Sequence, residues 1–426
     1  MKFYDELKWR GLIQDVSSPE VEKIINEGNA TFYWGTDPTA ESLHIGHYTN
    51  LVLARNFKKH GHHPILLVGG ATAQIGDPRG KGERVLETKE KIDHNYRMIK
   101  EQVEKLTGCE TVNNYDWIKE INVLDFLRDY GKHFPVNYML AKDKVKKQLD
   151  NGLSFTEFSY MILQALDFKY LHETRGVNLQ IAGSDQWGNI TSGIELIRKT
   201  TGEEVYGITM PLVLDENGNK IGKSEGNAVW LNKDMCSPYT LYQYLLNTAD
   251  AVVINYLKAM TLLEPEKIME LEETMKTAPE TRAAQKALAT EVVRDVHGEE
   301  ELNKVMKITD ALFSGNLKEL TGSELHDAFS NIPSYEINED KPILQLHIDA
   351  NTDLNDVYKF LGKAKDLADK LNVQPYVYVC SWLLDEEIFN YYEKKHPEKN
   401  SNIIEFKNFC KKNRARDRAE ILCVEL

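Results

Sequence analysis

Cysteine is scarce in this chain: five in 426 residues, Cys109, Cys236, Cys380, Cys410 and Cys423, with no C-x-x-C pair among them. That scatter argues against a disulfide framework or a cysteine-built zinc site and points to a reducing compartment. Long apolar runs are lacking too. No stretch approaches the roughly 20 apolar residues of a membrane span. The N-terminal segment M-K-F-Y-D-E-L-K-W-R-G contains no apolar run of signal-peptide length. We expect a soluble, cytoplasmic protein. Positive charge is in deficit: 52 Lys and Arg face 66 Asp and Glu, a formal charge of −14. Nucleic-acid binders are usually basic, so this balance speaks against RNA unless the basic residues segregate into a stripe. Internal repeats and low-complexity segments are not seen. The length suits two or three domains around a sizeable core.

The most informative stretch runs from Gly35 to Asn50, G-T-D-P-T-A-E-S-L-H-I-G-H-Y-T-N. An apolar run, Thr31 to Trp34, precedes it, and a helical run from about Gly46 to Lys59 follows. Pro64 to Gly69 then reads as a strand buried on both faces. Strand, helix and strand at this spacing form a βαβ unit, hence a Rossmann-like parallel sheet in an α/β protein. Gly35 and Gly46 allow close backbone approach. The helix start favours anions, and His44 and His47 there can add hydrogen bonds to phosphate oxygens. The later stretch G-G-A-T-A-Q-I-G-D-P-R-G-K-G is not a P-loop. Ile75 stands where a glycine is needed, and Gly82 follows Lys81 where Ser or Thr belongs. Asp77 there reads, by itself, as turn chemistry. His60, His62 and His63 read as a helix end, with Gly61 as a left-handed cap, rather than as a metal site.

Residues 83–150 read as charged and mostly helical, with Asn113 to Ile118 as an irregular break. At Ser154, S-F-T-E is a capping box that opens a helix. Tyr160, Gln164, Asp167 and Leu171 fall on one face of it. The bland reading of such a stripe is a solvated face, but its residue types suit a small polar molecule. Asn178 to Gly183 alternates as a half-buried strand with Gln180 pointing away from Leu179 and Ile181. S-D-Q-W-G-N follows, then a strand at Ile208 to Leu214, a D-E-N-G-N turn and K-I-G-K-S. Lys220 and Lys223 on that glycine-containing loop could meet charge developing on phosphate. Alone, such a loop is weak evidence. Ser237 to Gly315 reads as helical. Beyond Pro333, two apolar runs, Pro342–Ile348 and Pro375–Leu384, each precede a polar helical stretch and suggest a small α/β module. From residue 333 onward 14 basic residues face 17 acidic ones, and five of the basic ones crowd into Lys411 to Arg418. That cluster is either a solvated helix face or a phosphate-backbone patch.

The quartet His44-Ile45-Gly46-His47 in its D-P-T-A-x-S-L context, the helix F-S-Y-M-I-L-Q-A-L-D-F, the K-I-G-K-S loop and A-P-E-T-R-A-A-Q-K-A-L-A occur in this order. Together they resemble the bacterial type of tyrosyl-tRNA synthetase, a class I synthetase, over roughly residues 1–330. The resemblance implies a Rossmann-like catalytic domain at 1–230 with a helical connective insertion at about 83–150. It implies a helical anticodon-side domain at 235–320, and leaves 333–426 as a module of uncertain role. The implied activity joins L-tyrosine and ATP to tyrosyl-adenylate and transfers tyrosyl to tRNA(Tyr). Tyr33 and Asp167 would hold the substrate phenol. Tyr160, Gln164 and Asp77 would hold its ammonium, with Gln180 supporting the tyrosine. Gly35, Asp37, Thr39, Gly46, Gly183, Asp185 and Gln186 would line the ATP and adenylate side. His44, His47, Lys220, Lys223 and Ser224 would serve the phosphates. Mg2+ would arrive with ATP, with no prosthetic group and no protein metal site. A homodimer is implied, with Phe126, Leu127, Phe134, Tyr138 and Met139 of the insertion either at its contact or in ordinary core. Leu166 and Trp34 depart from a relative that has tyrosine and a smaller residue there. The S-K-x-x-A-R and G-x-x-x-x-N-G marks of the usual basic C-terminal module are not found. Two rivals differ in class: another nucleotidyltransferase with an H-x-G-H signature, and a synthetase-like RNA-binding or regulatory protein without ligase activity.

Overall fold

The computed structural model describes residues 1–78, 87–149, 151–222, 228–314, 319–329, 343–347, 376–380, 414–418 and 421–425. Gly80, Lys81, Gly82, Lys223, Ser224, Lys411 and Lys412, singled out above, lie outside them. Two compact units divide the chain, Met1–Ala328 and Phe329–Leu426.

The first unit is built on a six-stranded sheet. Its strands are β1 (Asp15–Val16), β2 (Thr31–Thr36), β3 (His63–Val68), β4 (Glu110–Asn113), β5 (Leu179–Gly183) and β6 (Tyr206–Met210), in the order β1-β6-β5-β2-β3-β4. All neighbours pair parallel except β1, which runs antiparallel to β6. The chain adds β3 and β4 on one side of β2, then crosses to β5 and β6 on the other. The order therefore reverses between β2 and β5, which opens a crevice at the carboxyl ends of the strands.

Each crossover starts and stops where the sequence allows. The first helix, Ile45–Lys59, ends before Gly61 at φ +88°. Phe155–Arg175 begins where Ser154 Oγ accepts the Glu157 N–H at 3.2 Å and ends at left-handed Gly176. The other half of that capping box is diverted, since the Glu157 carboxylate accepts from Gln148 Nε2. Helices follow at Pro238–Leu246, Asp250–Met260, Pro265–Thr277, Ala283–His297 and Glu299–Ser314. Leu51 and Phe57 of the first crossover share one apolar cluster with Val253, Leu257, Leu288 and Val292. Sheet and helical bundle thus have a common core, stabilised mainly by burial of apolar surface. Tyr48 Oη also donates to Asp295 Oδ2 at 2.7 Å, and Arg55 pairs with the same carboxylate.

Several sequence readings need correction. β5 is buried along Leu179–Ala182, Gln180 included, rather than half-buried, as befits a parallel strand with helices on both faces. The break at Asn113 to Ile118 is the end of β4 followed by a short helix, Tyr115–Ile118. The strand expected at Ile208 to Leu214 is Tyr206–Met210 and stops before Pro211, which has no N–H to give a ladder. Phe134 and Met139 are buried with Met161, Ile162 and Leu163, so they are core. Among the described residues of the insertion, the large apolar side chains left exposed are Val123, Leu124, Leu127, Val136, Leu140 and Leu149.

The second unit holds a four-stranded sheet of β7 (Ile343–His347), β8 (Tyr376–Cys380), β9 (Arg414–Arg418) and β10 (Ile421–Glu425), ordered β7-β8-β10-β9. β7 and β8 run parallel; β10 is antiparallel to both its neighbours. Two of these strands fall within the apolar runs noted above. Arg414–Arg418 is a strand at the sheet edge, so the helix-face reading of that segment is wrong.

Candidate active site

The crevice between β2 and β5 gathers most of the expected residues. β2 carries Tyr33, which is 1 % exposed, and its Oη is buried without a hydrogen-bond partner. Burial, and then the charge of Asp167, push that phenol well above its usual pKa. Asp167, 2 % exposed, is held from both sides. Trp117 Nε1 donates to Oδ1 at 3.0 Å, and Asn114 Nδ2 donates to Oδ2 at 3.0 Å. Burial still raises its pKa to about 8, against the pull of those two donors. Gln180 Oε1 is likewise buried without a partner. Unpaired buried polar atoms cost stability. Two of them beside a neutralisable carboxyl suit a ligand that brings a hydroxyl.

Asp37 links this end to the rest of the pocket. Tyr160 Oη donates to its Oδ2 at 3.0 Å, and Thr72 Oγ1 donates to its Oδ1 at 2.7 Å. Asn114 Nδ2 also reaches Thr72 Oγ1 at 3.1 Å, so a chain of bonds runs from Asp37 to Asp167. A Cβ on Gly69 would lie 2.2 Å from Asp37 Oδ1, so this carboxylate folds over a glycine by necessity. Burial, then the charge of Asp37, raise the Tyr160 phenol well above its ordinary pKa, so it stays neutral.

The opposite end is ionic. Asp77 Oδ2 accepts from Lys144 Nζ at 2.5 Å and from Gln186 Nε2 at 3.0 Å. Asn189 Nδ2 donates to Gln164 Oε1 at 2.9 Å and to Gln186 Oε1 at 2.8 Å. Asp77, Gln164, Gln186 and Asn189 therefore form one network, with Gln164 from the middle of the Phe155–Arg175 helix and Gln186 and Asn189 from the start of the Trp187–Thr201 helix. Asp185 lies 3.8 Å from Lys144 and 3.6 Å from Lys220. Gly183 lets the Asp185 carboxylate fold against the strand end, where a Cβ would lie 2.9 Å from Oδ1. Gly35 and Thr39 are exposed at the carboxyl end of β2.

The two signature loops meet. His44 is the N-cap of the Ile45–Lys59 helix, and its Nδ1 accepts the Gly46 N–H at 3.1 Å. The helix start is thus not left wholly for an anion: the imidazole takes one of its donors. The His44 and His47 rings stack with centroids 3.9 Å apart. A Cβ on Gly222, at φ +87°, would lie 2.5 Å from His44 Nδ1. On the far side of the second loop, Ile45 N–H donates to Val229 O at 2.8 Å and Leu231 N–H to Leu43 O at 2.9 Å. The described residues on either side of the second signature, Gly222 and Val229, thus both lie against the first.

Sequence reading missed Asn114, Trp117, Thr72, Asn189 and Lys144. The first two sat in the stretch taken as an irregular break, yet residues just past a parallel strand are where ligand contacts belong. Among the described residues no group of three or more His, Cys, Asp or Glu could hold a metal ion, and no helix is long and apolar enough to cross a membrane.

A parallel sheet whose order reverses at a pocket, with a His-Ile-Gly-His helix start tied to a lysine loop, has the architecture of a class I synthetase. The model of the tRNA synthetases class I (W and Y) matches residues 26–314, and the chain belongs to that family. Within it, the chain is 52 % identical to the tyrosine–tRNA ligase of Staphylococcus carnosus over 342 residues, which is 78 % of this chain and 81 % of the relative. It is 49 % identical to the tyrosine–tRNA ligase of Geobacillus stearothermophilus, covering 82 % of this chain and 86 % of the relative. A C-terminally truncated mitochondrial tyrosyl-tRNA synthetase from Aspergillus nidulans superposes with a TM-score of 0.66 at 32 % identity, over 73 % of this chain and 94 % of that one.

Proposed function

We propose that this chain is a tyrosine–tRNA ligase that joins L-tyrosine and ATP to tyrosyl-adenylate and passes tyrosyl to the 3′-terminal ribose of tRNA(Tyr). The observation that carries the reading is the buried pair of Tyr33, whose Oη lacks a partner, and Asp167, gripped by Asn114 and Trp117. A substrate hydroxyl placed between them can donate to the carboxylate and accept from the Tyr33 hydroxyl. Asp77, Gln164 and Tyr160 take the ammonium, which fixes the carboxylate toward the signature loops. His44, His47, Lys220, Lys223 and Ser224 receive the triphosphate of ATP, which brings Mg2+ with it. Asp185, Gly183, Gly35 and Thr39 lie on the nucleotide side; Gln186 and Asp37 belong to the tyrosine wall by their hydrogen bonds.

The protein supplies no covalent nucleophile. The tyrosine carboxylate attacks the α-phosphorus, pyrophosphate leaves, and the lysines and imidazoles offset the charge that grows on the phosphate oxygens. The enzyme acts in the cytoplasm as a homodimer. The exposed Val123, Leu124, Leu127, Val136 and Leu140 support an interface on the insertion. Tyrosine-dependent exchange of pyrophosphate into ATP is the test. No exchange, or equal exchange with tryptophan, overturns the reading.

A further inference from the structure

Lys144 lies on the Asp143–Leu149 helix of the insertion, and the chemistry above gives it no role. Its Nζ is 2.5 Å from Asp77 Oδ2 and 3.8 Å from Asp185 Oδ2. Both members of the Lys144–Asp77 pair are largely shielded, with side chains 29 % and 16 % exposed. Gln186 shares the same Asp77 oxygen at 3.0 Å. One ammonium therefore already stands where the amino acid must put its own. Asn189 Nδ2 stands 3.5 Å from the other oxygen, Oδ1. A substrate ammonium that takes either oxygen meets the Lys144 charge at close range, and like charges repel, so the two compete for Asp77.

The substrate also brings a negative charge. An α-amino acid carries its carboxylate one carbon from its ammonium, so both are recognised in the same small space. Around that space stand Asp37, Asp77 and Asp185, three carboxylates that repel a fourth. Lys220 meets Asp185 at 3.6 Å and is mostly exposed. Among the described residues, Lys144 is the cation reaching both Asp77 and Asp185, and its flexible stem lets the charge move a short way without rebuilding the site.

We propose that Lys144 is a substrate-binding residue: it yields Asp77 to the tyrosine ammonium and turns its charge to the tyrosine carboxylate, so the site selects a zwitterion over a bare amine. The inference rests on the tyrosine-ligase reading. The carboxylate loses its charge when it becomes the mixed anhydride, so this contact serves ground-state binding more than the transition state.

The test compares full-length parent, Lys144→Met and Lys144→Arg by calorimetric binding of tyrosine, tyramine and desaminotyrosine. Tyramine keeps the ammonium and lacks the carboxylate; desaminotyrosine is the reverse. Lys144→Met is expected to weaken tyrosine roughly tenfold, the order for one partly solvated charge-assisted hydrogen bond. Tyramine should bind the variant as well as or better than the parent, because a competing ammonium is gone. Desaminotyrosine should weaken, and Lys144→Arg should recover most of the preference for tyrosine over tyramine. Equal losses for tyrosine and tyramine would show that Lys144 only props Asp77, and no change in either would reduce it to a surface ion pair; both overturn the proposal. A parent that binds tyrosine no better than phenylalanine overturns the ligase reading itself, and this inference with it.

Discussion

Trp117 Nε1 donates to Asp167 Oδ1 at 3.0 Å, while Asn114 holds the other oxygen of the same carboxyl. The indole comes from the short helix after β4 and the carboxyl from the long crossover helix before β5. The bond therefore joins the two halves of the sheet across the floor of the pocket. It aims the Asp167 carboxyl and keeps a buried acceptor satisfied, so any hydroxyl brought there meets a fixed partner.

Trp117→Phe keeps an aromatic ring and removes the donor. Tyrosine binding is expected to weaken by about 1 kcal/mol, the order for one hydrogen bond. Phenylalanine, which has no hydroxyl for Asp167, should change little. Competitive binding of the two amino acids to parent and variant gives the comparison. Equal losses for both would mean that Trp117 shapes the ring pocket and does not serve the hydroxyl.

Asp167 also gives the protein a pH signature. Its pKa stands at about 8, raised from 3.8 chiefly by burial. Between those values the folded chain holds a proton that the unfolded chain has released, so stability falls as pH rises through this window. Asp167→Asn abolishes that dependence, and its melting temperature should overtake the parent's as pH climbs from about 5 to about 8. A phenol hydroxyl donating to the carboxylate favours the ionised form. The preference for tyrosine over phenylalanine should therefore strengthen over the same range. A preference that weakens with rising pH would make Asp167 the donor and the substrate oxygen the acceptor.

Gly222 couples the second signature to the first. A side chain there would strike His44 Nδ1 at 2.5 Å and force L-geometry to φ +87°. Gly222→Ala is expected to slow adenylate formation by roughly tenfold or more, since small misplacements of catalytic groups are costly. Tyrosine affinity should hold, because the phenol and ammonium ends lie on other elements. Single-turnover adenylate formation set beside equilibrium tyrosine binding separates the two. A loss confined to affinity would remove Gly222 from the phosphate machinery.

Much of this site was legible because its chemistry lies in contiguous motifs. The His44–His47 turn announces itself by glycine and imidazole spacing, and the Tyr160, Gln164 and Asp167 stripe by helical period. What was not legible depends on three-dimensional pairing. Asn114 and Trp117 matter only because β4 is the edge strand beside β3, and a four-residue strand amid charged helices leaves no alternation to read. Asp37 reads as a nucleotide-side residue from its place in the first signature. Its bonds to Tyr160 and Thr72, and its fold over Gly69 at the neighbouring strand's end, have no local pattern to announce them. Lys144 sits in a stretch that reads only as charged and mostly helical, because sequence does not reveal which charge faces inward.

The second unit offers the sharpest division of labour. Each described residue given a role in adenylate formation lies within Met1–Ala328, and that unit's apolar cluster closes between Phe3 and Val305. A chain ended at Ala328 should therefore still exchange pyrophosphate into ATP with tyrosine. Beyond that point Arg414, Arg416 and Arg418 lie on the edge strand β9, whose pairing with β10 shifts register between Arg416 and Arg414. Three arginines within five residues concentrate positive charge even in a chain segment with 14 basic and 17 acidic residues. If that strand grips a phosphate backbone, the truncated chain should bind tRNA more weakly than the full chain, and the gap should narrow as salt rises, because phosphate contacts release counterions. Filter binding of tRNA at low and moderate salt measures the gap. Exchange activity lost on truncation would place the second unit within the adenylation machinery. A gap that does not respond to salt would mean that β9 contacts something other than the phosphates.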